Sequence, residues 1–134
     1  MSQGNVGVVR AGYDALNRRD VSAVLDFLDP DAELSSLIGP LEGRDSFRGH
    51  GGAREYLALI SGALADVTWE VERITDVDDE QVIAYVRVRG RGATSGAGID
   101  QRSVAVFRFR GGKVMKVDSY MHEAEALEAA GLRD

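Results

Sequence analysis

At 134 residues the chain is long enough for one domain with a proper core, and 44% hydrophobic with 28% charged residues is ordinary globular composition. A net charge of −6 argues against binding nucleic acid or an acidic membrane through a basic surface, and the absence of cysteine excludes disulfides, thiolate metal sites and a cysteine nucleophile. The opening Met-Ser-Gln-Gly-Asn has neither a basic region nor an apolar run, and no stretch approaches bilayer-spanning length, so the expected location is cytoplasmic.

From Val6, the positions Val9, Tyr13 and Leu16 recur on one helical face, which predicts an amphipathic helix to about Arg18. Asp20 reads as the N-cap of a shorter helix with Val21, Val24, Leu25 and Leu28 as its stripe, ended by the turn Asp29-Pro30-Asp31. A short strand is expected over Ala32 to Ile38, then a loop or broken extended piece from Gly39 to Gly49. A third helix starts near Gly51 or Gly52, where Ala53, Tyr56, Leu57, Ile60 and Leu64 keep the i, i+3, i+4 spacing. Val67 to Ile74 alternates as a strand, and the acidic run Asp76 to Glu80 is a solvated turn. Three long strands follow, Gln81 to Arg89, Ile99 to Phe109 and Lys113 to Met121, the first two joined by a glycine-rich loop over Gly90 to Gly98. That loop joins strand to strand, so it lacks the strand-to-helix context of a phosphate cradle. Glu123 to Ala130 closes the chain as a helix with Gly131 at its C-terminus.

The hairpin at Gly111-Gly112 allows two registers. A two-residue loop sets Phe107 against Lys116, whereas a three-residue loop, Arg110-Gly111-Gly112, sets Phe107 against Met115 and Ala105 against Val117. The apolar match selects the second. One face then carries Ser103, Ala105, Phe107, Phe109, Met115, Val117, Ser119 and Met121; the other carries Val104, Val106, Arg108, Val114, Lys116, Asp118 and Tyr120. The second face is too apolar for plain solvent and too charged for a dry core.

The element order, together with Ala15-Leu16-Asn17-Arg18-Arg19-Asp20, Phe47-Arg48-Gly49-His50-Gly51-Gly52-Ala53-Arg54-Glu55-Tyr56-Leu57, Gly90-Arg91-Gly92, Ser95-Gly96, Gly112-Lys113-Val114 and Ala126 to Leu132, resembles the nuclear-transport-factor-2-like superfamily, and within it the SnoaL-like group. The resemblance covers almost the whole chain. It implies a single α+β domain over residues 1–134, with a cone-shaped, curved antiparallel sheet wrapped around N-terminal helices, a fold shared with cystatin-like proteins, and a cavity open at one end. Members include polyketide cyclases, ketosteroid isomerases, limonene epoxide hydrolases and modules without chemistry, so the fold alone does not choose a function. The resemblance also implies a homodimer through the outer sheet face, in keeping with the mixed residues there.

Aligned on these motifs, the isomerases' tyrosine position falls on Gly12, their base on Ser36 and their protonated acid on Ala105, so all three groups of a steroid isomerase are missing. On the strand Gln81 to Arg89, the resemblance turns Ile83, Tyr85, Arg87 and Arg89 inward and leaves Val82, Ala84, Val86 and Val88 outside. Arg87 would then offer a forked donor to a carbonyl or carboxylate; the competing reading pairs these arginines with Glu70, Glu72 or Asp100 at a solvated rim. His50, near a helix start, would be held neutral and serve as a base, or else is a loop histidine that caps. Asp118 is an acid of suitable type turned outward by the chosen register.

The cavity is expected to be lined by Tyr13, Tyr56, Trp69, Tyr85, Ser103, Phe107, Met115, Val117, Ser119 and Met121, with His50 and Arg87 as the catalytic candidates. No metal-ligand spacing or redox-cofactor motif is present, so no metal or cofactor is expected. Two readings are open: a cofactor-independent cyclase or isomerase acting on a carbonyl compound such as a polyketide, or a non-catalytic module that binds a small apolar or carbonyl-bearing ligand.

Overall fold

A computed structural model describes residues 2–35 and 46–132. The helices α1 (Ser2–Asn17), α2 (Val21–Asp26) and α3 (Gly49–Ala63) lie on one face of a six-stranded sheet. Its strands are β1 (Leu28–Ser35), β2 (Phe47–Arg48), β3 (Leu64–Asp76), β4 (Gln81–Gly92), β5 (Gly98–Arg110) and β6 (Lys113–Tyr120), in the spatial order β2-β1-β6-β5-β4-β3. All neighbouring pairs are antiparallel except β1 with β6. A closing helix, α4 (Glu123–Ala129), packs on the opposite face of the sheet.

Local chemistry accounts for the element ends. Asp20 caps α2 by accepting from the Ala23 amide at 3.1 Å. The end of α1 is a Schellman turn: the Asp20 amide donates to Ala15 O at 3.0 Å and the Arg19 amide to Leu16 O at 3.1 Å, with Arg19 itself left-handed at φ 63°. Gly131, at φ 78°, ends α4 as expected. Leu28 to Asp31 belongs to β1 and not to a helix end and turn, because the strand takes an irregularity between Leu28 and Glu33 that absorbs the Asp-Pro-Asp. Residues 36–38 of the expected first strand, Ser36 among them, lie outside the described residues.

The hairpin register differs from both alternatives. Gly111 and Gly112 are both left-handed, at φ 59° and 79°, which makes the tight two-residue loop with Arg110 opposite Lys113. A bulge then intervenes: Val114 faces Phe109 but Lys116 faces Arg108, so Met115 is the extra residue. Beyond it Phe107 meets Val117 and Ala105 meets Ser119. The apolar match is thus reached through a bulge in β6, which turns Val114 inward and takes Met115 out of the row.

The face assignment of β4 is the reverse of the expectation. Val82 stands opposite Phe107, Ala84 opposite Ala105 and Val86 opposite Ser103, and residues directly opposite share a face. The aliphatic row therefore joins the main core with Val9, Leu25, Leu28, Ala32 and Ala53. The other row faces outward, where its charges meet a ladder of opposite charges. Arg87 makes a forked pair with Asp100, Nε to Oδ1 at 2.7 Å; Arg102 makes one with Glu72 at 2.9 and 3.2 Å; and Arg89 meets Glu70 at 2.6 Å.

A second, smaller core lies on that outer side: Ile83, Val104 and Val106 are covered by Ala126 and Ala130 of the closing segment. The closing segment thus covers the apolar part of the mixed face. The expectation of a dimer came from the family resemblance together with Val104, Val106 and Val114; of these three, the first two lie under α4 and the third faces the helices.

Candidate functional site

Between the helices and the inner sheet face lies a cavity of about 450 Å³, within the range typical of small-molecule sites. Its helical wall comes from Val9, Gly12, Tyr13 and Leu16 of α1 and from Ala53, Tyr56, Leu57 and Ile60 of α3. Its sheet wall comes from Trp69 of β3, Val86 and Val88 of β4, Gln101, Ser103, Ala105 and Phe107 of β5, and Val114, Val117 and Ser119 of β6. Among the described residues no carboxylate, imidazole or guanidinium lines it. The polar groups are neutral: the hydroxyls of Tyr13, Tyr56, Ser35, Ser103 and Ser119, the Gln101 amide and the Trp69 indole.

Tyr13 is a half-buried polar group that packs against the main core. Its ring meets Phe107 edge to face, with centroids 5.9 Å apart and an interplanar angle of 79°. Burial pushes its phenol above the ordinary tyrosine value, and the neighbouring Tyr56 adds to the effect. Among the described residues nothing hydrogen-bonds its hydroxyl, so a neutral phenolic donor stands ready in an apolar chamber. Tyr56 is set by a tilted stack on Phe47, centroids 5.2 Å apart.

Gly12 opens space beside Tyr13. It sits inside α1, where alanine would favour the helix by about 1 kcal/mol, and a Cβ there would meet only Phe27 Cδ2 at 4.0 Å. The chain forgoes helix stability at a position where a side chain would enter the cavity.

Six of the expected lining residues, Tyr13, Tyr56, Trp69, Ser103, Phe107 and Val117, line the cavity, and Ser119 does too. Three do not. Tyr85 lies on the outer face, its hydroxyl donating to Glu123 Oε2 at 2.6 Å under the Arg73 guanidinium, because β4 is turned over. Met115 is the bulged residue, and Met121 lies past the end of β6 with 48% of its surface exposed. Both catalytic candidates also lie away from the lining. Arg87 is committed to Asp100 on the outer face, and the Nε2–H of His50 donates to the Leu28 carbonyl at 3.0 Å. Asp118 faces outward, 3.7 Å from the Lys116 ammonium. Sequence reasoning missed Gln101, which the same alternation that selects Ser103 and Ala105 would have found, and Val86 and Val88, which went outward with the inverted strand.

Among the described residues no cluster of histidine and carboxylate side chains could hold a metal ion, and no helix is long and apolar enough to cross a membrane.

No curated protein matches the sequence. Solved structures do. An NTF2-like protein of unknown function from Burkholderia pseudomallei is similar at a TM-score of 0.79 and 21% identity, over 93% of this chain and 95% of that one. A putative polyketide cyclase from Xanthomonas campestris pv. campestris is similar at 0.74 and 24%, over 94% and 96%. The epoxide hydrolase/cyclase-like enzyme SalBIII, with a role in pyran ring formation in the polyether salinomycin, is similar at 0.77 and 19%, over 92% and 96%. At these identities the likeness is one of fold. The model of the SnoaL-like domain matches residues 9–117, most of the chain and nearly all of the cavity's walls, and the protein belongs to that family.

Proposed function

We propose that this protein binds a small molecule with an apolar body and uncharged oxygen functions, of the carbonyl or hydroxyl type, inside the cone. The carrying observation is the lining: about 450 Å³ walled by aliphatic and aromatic side chains, with neutral polar groups only among the described residues. A charge carried on the enclosed part of the ligand would lose its hydration and find no partner among the described residues, at a cost of several kcal/mol. A carbonyl oxygen, by contrast, complements the phenol of Tyr13, which is protonated and has no hydrogen-bond partner among the described residues.

The same geometry sets what chemistry the site supports. A buried phenol polarises a carbonyl and the walls hold a flexible chain folded, which together favour an intramolecular ring closure by positioning. The similarity to a putative polyketide cyclase and to an enzyme of pyran ring formation accords with this second reading. The described lining has no carboxylate or imidazole to take a proton, so binding and orientation are the reading it supports best.

The test uses the single tryptophan, Trp69, which lines the cavity. Titration with a neutral tricyclic aromatic ketone should quench and shift its fluorescence with saturation, and Tyr13→Phe should weaken the affinity by about tenfold, the scale of one buried hydrogen bond. Addition of a carboxylate to the enclosed ring system should abolish binding. No saturable change, or tighter binding of the carboxylated ring, would overturn the proposal.

A further inference from the structure

A second pocket, of about 160 Å³, lies at the seam between the helices and β3, the edge strand of the sheet. Five side chains, Leu16, Val24, Leu57, Ile60 and Trp69, line both this pocket and the main cavity, so the two are separated by the thickness of those side chains. The remaining wall holds Arg19, Asp20, Val21, Ser61 and Val67. The seam exists because β3 has no strand beyond it. Side chains from the end of α1 take the place of one: the Asn17 amide exchanges two hydrogen bonds with the Trp69 backbone, each 2.8 Å, and the Arg19 guanidinium donates to the Val67 carbonyl.

Arg19 is the unusual residue of this seam. It occupies the left-handed position of the Schellman turn, where glycine carries no steric penalty and a long side chain does. Its side chain is held by the carbonyls of Leu16 and Val67 and lies over the Trp69 ring, 5.7 Å from the centroid. Its partners are carbonyls and not carboxylates, and the residue is exposed to solvent. Among the described residues it forms no ion pair, whereas the arginines of the neighbouring β4, Arg87, Arg89 and Arg91, each meet a carboxylate. The one carboxylate in the pocket wall, Asp20, accepts from the Ala23 amide at the start of α2. Two of the guanidinium's five N–H groups are engaged, which leaves donors for a ligand.

We propose that this pocket receives the anionic end of an elongated ligand whose apolar body fills the main cavity. The inference rests on the cavity reading above and adds a direction and a charge to the ligand: a chain leaves the cone sideways past Trp69 and ends in a carboxylate, or a like anionic oxygen group, on Arg19. The five shared side chains make the partition between the two spaces apolar and one side chain thick, and a guanidinium fork matches a carboxylate geometrically.

The experiment titrates the full chain calorimetrically with n-alkanoates from six to fourteen carbons and with alkanols of the same lengths. In the wild type, the long alkanoates should bind about tenfold tighter than the matching alkanols, and the short ones should show no such preference. Arg19→Gly suits the backbone at that position, so it keeps the helix end. It should remove the preference for the carboxylate, so that alkanoate and alkanol of one length bind alike. If Arg19→Gly lowers the melting temperature but keeps the preference, the guanidinium is only a clasp for the edge strand, and the inference is wrong. Alkanols that bind as well as alkanoates at every length would overturn it too, with the cavity reading intact. Failure of the wild type to bind either series would overturn the inference, and the cavity reading would then stand or fall on the ketone titration at Trp69.

Discussion

Gly12 offers the sharpest way to separate the cavity from the fold. Replacement by leucine puts an apolar side chain on the inner side of α1, where its first carbon meets only Phe27 Cδ2 at 4.0 Å, an ordinary contact. Inside a helix, leucine and alanine are both favoured over glycine by roughly 0.8–1 kcal/mol. For a domain of this size that gain corresponds to about 3–6 °C in melting temperature. Gly12→Ala should therefore raise stability and shrink the cavity slightly. Gly12→Leu should keep the fold and obstruct the 450 Å³ cavity beside Tyr13, lowering ligand affinity by about a hundredfold or more. The assays are a melting curve for both variants and the Trp69 titration for Gly12→Leu. If Gly12→Leu unfolds the chain, the space is not open as described; if it binds ligand like the wild type, the ligand does not sit in this cavity.

Tyr13 gives a prediction at alkaline pH. Its folded pKa is raised and it loses a proton only as an acid, so the native state keeps the proton after the unfolded chain, titrating near pH 10, has released it. Stability should be unaffected below about pH 9 and fall as the pH rises through 10, and Tyr13→Phe should blunt that fall; a fall identical in the variant would refute it. The outer ladder gives the opposite sign. The hydrogen bond from Arg87 holds Asp100 below the ordinary carboxylate value, and that from Arg102 does the same for Glu72. Their contribution is present above about pH 4 and is lost as the pH falls further. Acid unfolding of Arg87→Met should therefore show a shallower dependence on pH, with ligand binding unchanged; a loss of binding would return Arg87 to the site. Under α4, Ala126 is fully covered. Ala126→Glu should force the helix off Ile83, Val104 and Val106, destabilise by about 2–4 kcal/mol and raise binding of a hydrophobic dye, and an unchanged melting temperature would contradict the second core.

Periodicity along the chain determined a good deal by itself. The stripe Val9, Tyr13, Leu16 and the cap at Asp20 were legible because helix faces and caps are local, and so was the alternation that puts Ser103, Ala105 and Phe107 on one side of β5. The family and the cone were legible through motif order. Three things were not, and each depends on a partner distant in sequence. The face of β4 is set by which residue of β5 stands opposite, and an aliphatic row beside a mixed row reads the same from either side; only the pairing of Val82 with Phe107 and of Arg87 with Asp100 decides. The bulge at Met115 leaves no local mark, since it follows from fitting β6 between β5 and β1. The apolar outer row of Val104 and Val106 read as an interface because nothing local says that α4, after the last strand, folds back to cover it. The sequence thus holds the composition of the site, hydroxyls among aliphatics, while tertiary structure alone decides that the charges of the described residues are outside it.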